Sequence, residues 1–379
     1  RERSFFAKCI TGYCYNDTNQ NHDIWNCLIQ LLNSDVIDVD KLDYLIRDAY
    51  ITGFDTVQID YIRLLGALRL QQSKETNSWV LVFHKSVLSV IQNVVFAHDA
   101  ERHWIQNHPV VLYEWYILNH AIARVDQFFS KASYRLFSLE TLTEEGNQLN
   151  ENIHISLLAD DDLIYLMKNV CPDNITREYF NRRGRRHPAW KSEAEYRSLF
   201  YCRNGEQSSL TNAIEKEIDD LLQYVINITG QDIINEATIT ACEEQIGKLK
   251  MELFAAAKKK RREIESLLNE AQNHLDWLQC MYDVMMQSGL EFDLLILKVS
   301  QFNSGFIKKE FSQLPIFFPD YGHTDVFGDV VTTMNAEKTG KNKFFYLFYR
   351  RKENGKEKKV LDVNALVKGF TDLANRKHD

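Results

Sequence analysis

The sequence predicts a mainly helical fold that ends in a smaller α+β lobe. Apolar residues recur at helical spacing through much of residues 1–235, and they do so again along residues 241–287. After Ser288-Gly289 the pattern changes to short apolar runs that are typical of strands. We therefore expect a helical core over 1–235, a long connecting helix within 236–288 and an α+β lobe over 289–379.

Individual elements follow from local signals in the chain. A helix is expected near residues 24–33, a second over the stretch 37–48 with Gly53 as its stop, and a long one that starts near Pro109. Strands are expected at 79–83, 292–299, 315–318 and 343–349, and a closing helix at 364–375. These signals place most of the candidate functional residues on helices.

Composition limits the class of protein. The chain has 379 residues, 45% hydrophobic residues, a net charge of −8 and a pI near 5.8, which argues against a general nucleic-acid scaffold. Seven cysteines without a Cys-x-x-Cys pair indicate neither a zinc ribbon nor a disulfide framework. No window of about 18 apolar residues occurs, so we expect a cytoplasmic protein with reduced thiols and no membrane partner.

The stretch from Ile37 to Asp48 is the most informative part of the sequence. At helical spacing Asp40, Tyr44 and Asp48 share one stripe with Lys41 beside it, opposite an apolar face made of Leu42, Leu45, Ile46 and Ala49. Carboxylates suit hard divalent cations, and an ammonium group suits phosphate. The other interpretation is a solvated helix face with ion pairs four residues apart.

This run, Asp-Val-Asp-Lys-Leu-Asp-Tyr-Leu-Ile-Arg-Asp, resembles the last motif of the HD-domain deoxynucleoside triphosphate triphosphohydrolases, which include the dGTPase-like and SAM-and-HD-domain dNTPases. The resemblance implies that Asp40 is a catalytic metal ligand. It implies that Lys41 and Tyr44 contact the triphosphate, with Lys41 also catalytic, and that Asp48 binds the sugar 3′-hydroxyl. Asp43 and Arg47 would support them.

The same resemblance implies an HD-domain-like helical fold and a divalent metal, Mg, Mn or Fe. The reaction would be hydrolysis of a dNTP to deoxynucleoside and triphosphate by a homo-oligomer, in control of the dNTP pool or in antiviral (antiphage) defence. Two alternatives stay open. One is an HD phosphohydrolase that acts on another nucleotide, and the other is a non-catalytic module that binds nucleotide or nucleic acid.

The main departure from that family concerns the metal ligands upstream of the motif. The family places a His and a His-Asp pair well before this helix, whereas here His22-Asp23 lies a short way before Asp40, in what we expect to be a polar loop. We interpret His22-Asp23 as accidental. A lone Asp40 cannot hold a catalytic metal, so we expect the remaining ligands to come from a preceding N-terminal portion.

Further candidates lie downstream. The resemblance implies a substrate contact at Tyr113 and a weaker one at His108, for which a helix-start position before Pro109 is an equal explanation. Three consecutive acids, Asp160 to Asp162, suggest either a metal site or a helix cap with first-turn charges, and the cap is the simpler explanation.

Two basic runs are candidates for anionic partners. Residues 182–187 carry four arginines around Gly184, and residues 258–262 read Lys-Lys-Lys-Arg-Arg. Clustered Arg and Lys could bind a nucleotide effector or single-stranded nucleic acid. A solvated surface is the simpler explanation of both runs.

Overall fold

The computed structural model describes residues 2–16, 19–54, 58–73, 77–129, 136–170, 174–181, 184–200, 207–299, 309–331, 344–354 and 357–376. The chain divides into two compact units. The first unit is Arg1–His108 with Ser300–Asn342, and the second is Pro109–Val299 with Lys343–Asp379.

Helices dominate the described residues. In chain order they are α1 (Glu2–Thr11), α2 (Gln20–Leu32), α3 (Val39–Thr52), α4 (Tyr61–Gly66), α5 (Leu88–Ala100), α6 (Pro109–Phe129), α7 (Asp160–Tyr165), α8 (Asn174–Asn181), α9 (Glu193–Phe200), α10 (Gln207–Thr229), α11 (Glu236–Ala255), α12 (Lys258–Gln287), α13 (Lys309–Ser312), α14 (Phe327–Val330) and α15 (Val363–Asn375). Short π-helical turns, Glu101–Gln106 and Leu166–Val170, follow α5 and α7. In the part of the chain described here, no helix is both long enough and apolar enough to cross a membrane.

The strands are short and form small sheets. They are β1 (Leu68–Gln72), β2 (Trp79–His84), β3 (Asn147–Asn150), β4 (Ile153–Ile155), β5 (Arg186–Pro188), β6 (Ile233–Asn235), β7 (Asp293–Lys298), β8 (Pro315–Phe318), β9 (His323–Val326), β10 (Phe345–Arg350), β11 (Lys352–Asn354) and β12 (Glu357–Lys359). Their pairing gives two four-stranded sheets, β1-β2-β8-β9 and β5-β10-β7-β6, and two antiparallel pairs, β3-β4 and β11-β12.

The first unit packs α3 and α5 into one apolar core. Leu42 and Leu45 on the inner face of α3 join Ile91 and Val94 of α5 in this core, which also contains Phe311, Ile316 and Phe327. The sheet of this unit is mixed, because β8 pairs in parallel with β2 and antiparallel with β9. Residues beyond position 300 therefore complete the sheet that β1 and β2 begin.

The second unit is built around the strand β10. Its apolar residues are buried on both faces, and it lies between β5 and β7 with antiparallel pairing on each side. Helices α10, α11, α12 and α15 contribute to the same core, which includes Trp277, Phe348 and Phe370. A strand that is buried on both faces reads as a continuous apolar run, which is why residues 344–349 lack polar alternation.

A buried ion network joins four elements of the second unit. Arg186 at the start of β5 donates to both oxygens of Glu178 on α8, each at 3.0 Å, and its Nη2 lies 2.7 Å from Asp293 Oδ1 at the start of β7. Arg350 of β10 contacts the same two carboxylates at 2.5 Å. The hydroxyl of Tyr113 donates to Glu178 and accepts from the Arg186 backbone N–H at 3.1 Å. The positive charges of the two arginines are therefore neutralised by the negative charges of the two carboxylates.

The predicted fold class is confirmed at the level of a mainly helical chain with an α+β part. The helices α2, α3 and α15 and the strands β2, β7, β8 and β10 lie where the sequence places them. The prediction of one helix over 241–287 is wrong. Ala256 and Ala257 adopt extended backbone angles, with ψ values of 139° and 150°, and separate α11 from α12.

The boundaries of the two compact units also differ from the boundaries at residues 235 and 288 that the sequence suggests. The strands after residue 289 are shared between two sheets, since β8 and β9 pair with β1 and β2, whereas β7 and β10 pair with β5 and β6. Pairing of this kind joins segments that are far apart in the sequence. The tertiary division therefore follows strand pairing and not the change in composition at Ser288-Gly289.

We predict that Arg186→Met lowers the free energy of unfolding by about 3–5 kcal/mol, because it leaves the Glu178 carboxylate buried without its main partner. The matched control is Arg261→Met, since Arg261 forms an exposed pair with Glu265 at 3.9 Å and its loss should cost less than about 1 kcal/mol. Urea unfolding of both variants measures the difference. Equal losses would contradict the prediction.

Candidate functional site

Helix α3 starts at a capped and buried aspartate. Asp38 accepts the backbone N–H of Lys41 at 2.6 Å through one carboxylate oxygen and the backbone N–H of Ser34 at 2.8 Å through the other. Asp38 thus fixes the loop before the helix and satisfies one of the free N–H groups of the first turn. At the other end Gly53 closes the helix with a φ of 71°, a conformation that favours glycine. The sequence predicted the end of the helix at Gly53.

Lys41 points back toward the start of the helix. Its Nζ donates to the carbonyl oxygen of Ser34 at 2.8 Å and lies 3.6 Å from Asp38 Oδ2. The side chain is 17% exposed, so the ammonium group is partly screened from solvent. Lys41 therefore strengthens the junction before α3, which is a structural role in addition to the predicted phosphate contact.

The predicted polar row runs along the outer side of α3. Asp40 is exposed, while Tyr44 and Asp48 are partly buried. Arg47 lies beside this row and pairs with Asp43 at 2.5 Å, and its Nε is 3.8 Å from Asp48 Oδ1. One helix therefore carries both the predicted stripe and the ion pair expected of a solvated face.

The phenol of Tyr44 has a raised pKa. Burial contributes most, followed by the negative charges of Glu101, Asp38 and Asp40, and together they raise the pKa of Tyr44 to about 12. A phenol with this pKa stays protonated near neutral pH. Tyr44 is therefore suited to donate a hydrogen bond to an anion.

Glu101 belongs to this site although sequence reasoning did not identify it. It lies in the π-helical turn Glu101–Gln106 of the first unit, is buried, and accepts two hydrogen bonds from Gln106 Nε2, at 2.8 and 2.9 Å. Burial raises the pKa of Glu101, and the charge of Asp48 on α3 adds to the rise. π-Helical turns are frequent at functional sites. No spacing in the sequence links Glu101 to α3, so no local signal could have found it.

Two downstream candidates lie in different units. His108 is exposed and is the last residue of the N-terminal segment of the first unit. It directly precedes Pro109, the first residue of α6, so it occupies the predicted helix-start position. Tyr113 is buried in the second unit, where burial and the hydrogen bond to Glu178 raise its pKa to about 12. The hydroxyl of Tyr113 is thus occupied by the ion network. Substrate contact by either residue stays a prediction.

Other motifs also have structural roles. His22 lies in the first turns of α2, not in the expected loop, and its ring stacks on Tyr15 with centroids 4.3 Å apart. The side chain of Asp162 accepts the backbone N–H of Ala159 at 2.9 Å, which fits the cap interpretation of residues 160–162.

The basic run 182–187 is largely committed to carboxylates where it is described. Arg185 pairs with Glu114 and lies over the ring of Tyr113, and Arg186 is the centre of the buried network. Arg182 and Arg183 fall outside the described residues. Both described arginines, Arg185 and Arg186, are therefore already paired with carboxylates of this chain.

The donors around Asp40 do not make up a metal site. In the ranges that the structure describes, no group of three or more His, Cys, Asp and Glu side chains could hold a metal ion. Asp40 offers a single carboxylate, whereas a catalytic divalent metal takes several protein ligands. These residues alone do not fit the metal that the resemblance implies.

Comparison with known proteins gives partial matches. No protein-family model matches the chain. It is 34% identical over 77 residues to an uncharacterized protein of Mycoplasma genitalium, a match that covers 20% of this chain and 18% of that protein. It is 25% identical over 164 residues to the uncharacterized protein YwfO of Bacillus subtilis, over 40% of this chain and 36% of that protein.

A solved structure also resembles the chain. The crystal structure of a hypothetical protein from Aquifex aeolicus aligns with a TM-score of 0.45 and 12% identity, over 98% of this chain and 64% of that one. The matches to the two curated relatives span well under half of their own lengths. The activity of the whole protein is therefore a matter of proposal.

We predict that Asp38→Ala lowers the free energy of unfolding by about 1–3 kcal/mol, because it removes the cap and leaves the Ser34 and Lys41 N–H groups without their acceptor. Asp35→Ala is the control, since Asp35 is exposed in the same loop. Denaturant unfolding followed by circular dichroism gives both values. An Asp38→Ala variant as stable as the control would show that the cap does not hold α3.

A second prediction concerns alkaline pH. Because Tyr44 has a pKa of about 12 when folded and 10.0 otherwise, its contribution to stability is complete below pH 10 and is lost as pH rises through 12. Tyr44→Phe should therefore lose less stability than the wild type between about pH 9 and pH 11. Urea unfolding at the two pH values tests this. Identical pH slopes would mean that Tyr44 titrates normally.

Proposed function

We propose that the chain carries part of the site of a deoxynucleoside triphosphate triphosphohydrolase of the HD-domain class. The observation that carries the proposal is the row on α3, in which Asp40, Tyr44 and Asp48 recur every four residues with Lys41 beside them. These residue types match the family motif position by position.

The chemistry of the row supports a nucleotide as ligand. Tyr44, neutral near pH 7, donates its hydroxyl to a phosphate oxygen, and Lys41 contributes positive charge next to it. Asp48 accepts a hydrogen bond from a sugar hydroxyl. Burial, with the charge of Asp48 added to it, raises the pKa of the nearby Glu101.

The proposed reaction also requires a divalent metal. Mg, Mn or Fe would supply Lewis-acid chemistry when bound, and Asp40 would be one of its ligands. Since the described residues do not complete the ligand set, we derive no step through the metal. The residues of this chain bind and orient the nucleotide in the proposed reaction.

A second candidate is nucleotide binding without turnover, and the position of Lys41 favours it. Its Nζ is already bonded to Ser34 and lies close to Asp38, so the ammonium is not preorganised for the transition state of phosphoryl transfer. Nucleotide binding would then serve as a signal. An HD phosphohydrolase that acts on another nucleotide is the remaining alternative.

The test is a product analysis with purified protein, each of the four dNTPs and added Mn or Mg. We expect triphosphate and deoxynucleoside as products, a loss of kcat of about 10²-fold or more for Asp40→Asn and Tyr44→Phe, and a higher KM for Asp48→Asn. Asp35→Asn is the matched control, because it removes an exposed acid close to α3 without altering the row.

Each other outcome has a definite meaning. Nucleotide binding by the wild type that is weakened by Tyr44→Phe and Asp48→Asn, without any product, would favour the binding module. Turnover of other nucleotides with release of a different phosphate product would favour the second enzyme class. If the protein neither binds nor hydrolyses nucleotides, the proposal is wrong.

A further inference from the structure

The helices α11 and α12 form an antiparallel hairpin. They are joined by Ala256 and Ala257, and Cys242 Sγ lies 3.6 Å from the Ala271 carbonyl oxygen, so residues equally distant from the connection face each other. Among the described side chains, the last buried one on α11 is Leu249 and the first on α12 is Ala271. Residues 250–262 therefore contain no buried side chain among those that the structure describes. We call them the arm.

The arm is both basic and apolar. Its residues 250–262 contain six Lys and Arg and one Glu, in a chain whose net charge is −8. Phe254 is 95% exposed and Met251 is 70% exposed, and their separation of three positions places both on one side of α11. Large apolar side chains exposed together next to charges mark an interaction site.

A second surface of the same unit has the opposite charge. Residues 136–165 contain seven Asp and Glu and no Lys or Arg. Leu139 is 82% exposed, and Leu142 and Leu157 are also exposed between the acids. This segment, which we call the acidic surface, is therefore apolar and negative where the arm is apolar and positive.

The backbone of the acidic surface is tightly held. The N–H groups of Gly146 and Leu157 both donate to the Thr143 carbonyl oxygen at 3.1 Å. Leu157 has a φ of 53°, which is rare for a branched side chain, and it is exposed. A strained backbone that displays an apolar side chain to solvent is a feature associated with function.

We propose that the arm of one copy of this chain docks on the acidic surface of a second copy. Within one chain both surfaces are exposed, so neither covers the other. Contact between two arms would bring like charges together, whereas arm and acidic surface attract each other and each contributes apolar area. Reciprocal docking across a twofold axis forms a dimer in which both contacts are made twice.

Nucleic acid is the competing partner for the arm. Phosphates would satisfy its positive charge, but they leave Met251 and the acidic surface unexplained. A second copy accounts for the charges and for the exposed apolar side chains on both surfaces. This inference concerns assembly and does not rest on the proposed function.

The experiment measures molar mass by light scattering and sedimentation at about 0.05 M salt, where exposed charges are least screened. We expect the wild type at about twice 44.4 kDa. Lys260→Glu with Arg262→Glu should weaken the dimer at least tenfold, and so should Glu144→Lys with Glu145→Lys. Lys368→Glu with Arg376→Glu is the control, since it makes the same charge change at exposed sites on and next to α15.

The decisive step is to mix the two weakened variants. Each keeps one native surface, and the reversed arm now matches the reversed acidic surface, so mixing should restore a dimer. Circular dichroism of each variant alone confirms that it is folded. A wild type that stays at 44.4 kDa, an assembly that the arm variant leaves intact, or no recovery on mixing would overturn the proposal. Nucleic acid that binds the wild type while it stays monomeric would point to the competing partner.

Discussion

The buried network of Arg186, Glu178, Asp293 and Arg350 is the constraint on which the second unit depends. Four charged groups come from β5, α8, β7 and β10, and burial makes Arg186 and Glu178 costly unless their partners are in place. Asp293 and Glu178 raise the pKa of Arg186 against the opposite effect of burial, so the guanidinium stays charged. The network is satisfied only when these elements take their native arrangement, and it therefore selects one packing of the sheet against α6 and α8.

The first unit uses the same principle on a smaller scale. Asp38 is a buried carboxylate that is satisfied by Ser34 and Lys41, and this arrangement sets where α3 begins and which way its polar row faces. The apolar face of α3 then packs on α5, which brings the π-helical turn after α5 close to the row. A binding site on a helix that is capped and packed in this way needs little reorganisation when a ligand arrives.

Charge is distributed unevenly over an acidic chain. The described arginines of the run 182–187 are taken up by carboxylates, whereas the basic arm carries exposed charge. Structure thus separates two runs that look alike in the sequence. One stabilises the interior, and the other is available for a partner. Nucleotide chemistry on α3 and assembly through the arm are independent proposals, since they use different units of the chain.

The sequence by itself determined the local features of this protein. A helical repeat of polar and apolar residues and a terminal glycine indicated α3, and continuous apolar runs indicated β8 and β10, because these signals act within a few residues. Tertiary structure decided the rest. It buried Arg186, placed Glu101 near Asp48, divided residues 241–287 into two helices and distributed the C-terminal strands between two sheets. Apart from the break at Ala256-Ala257, these outcomes depend on contacts between residues far apart in the chain, and a pattern of neighbouring residues carries no record of such contacts.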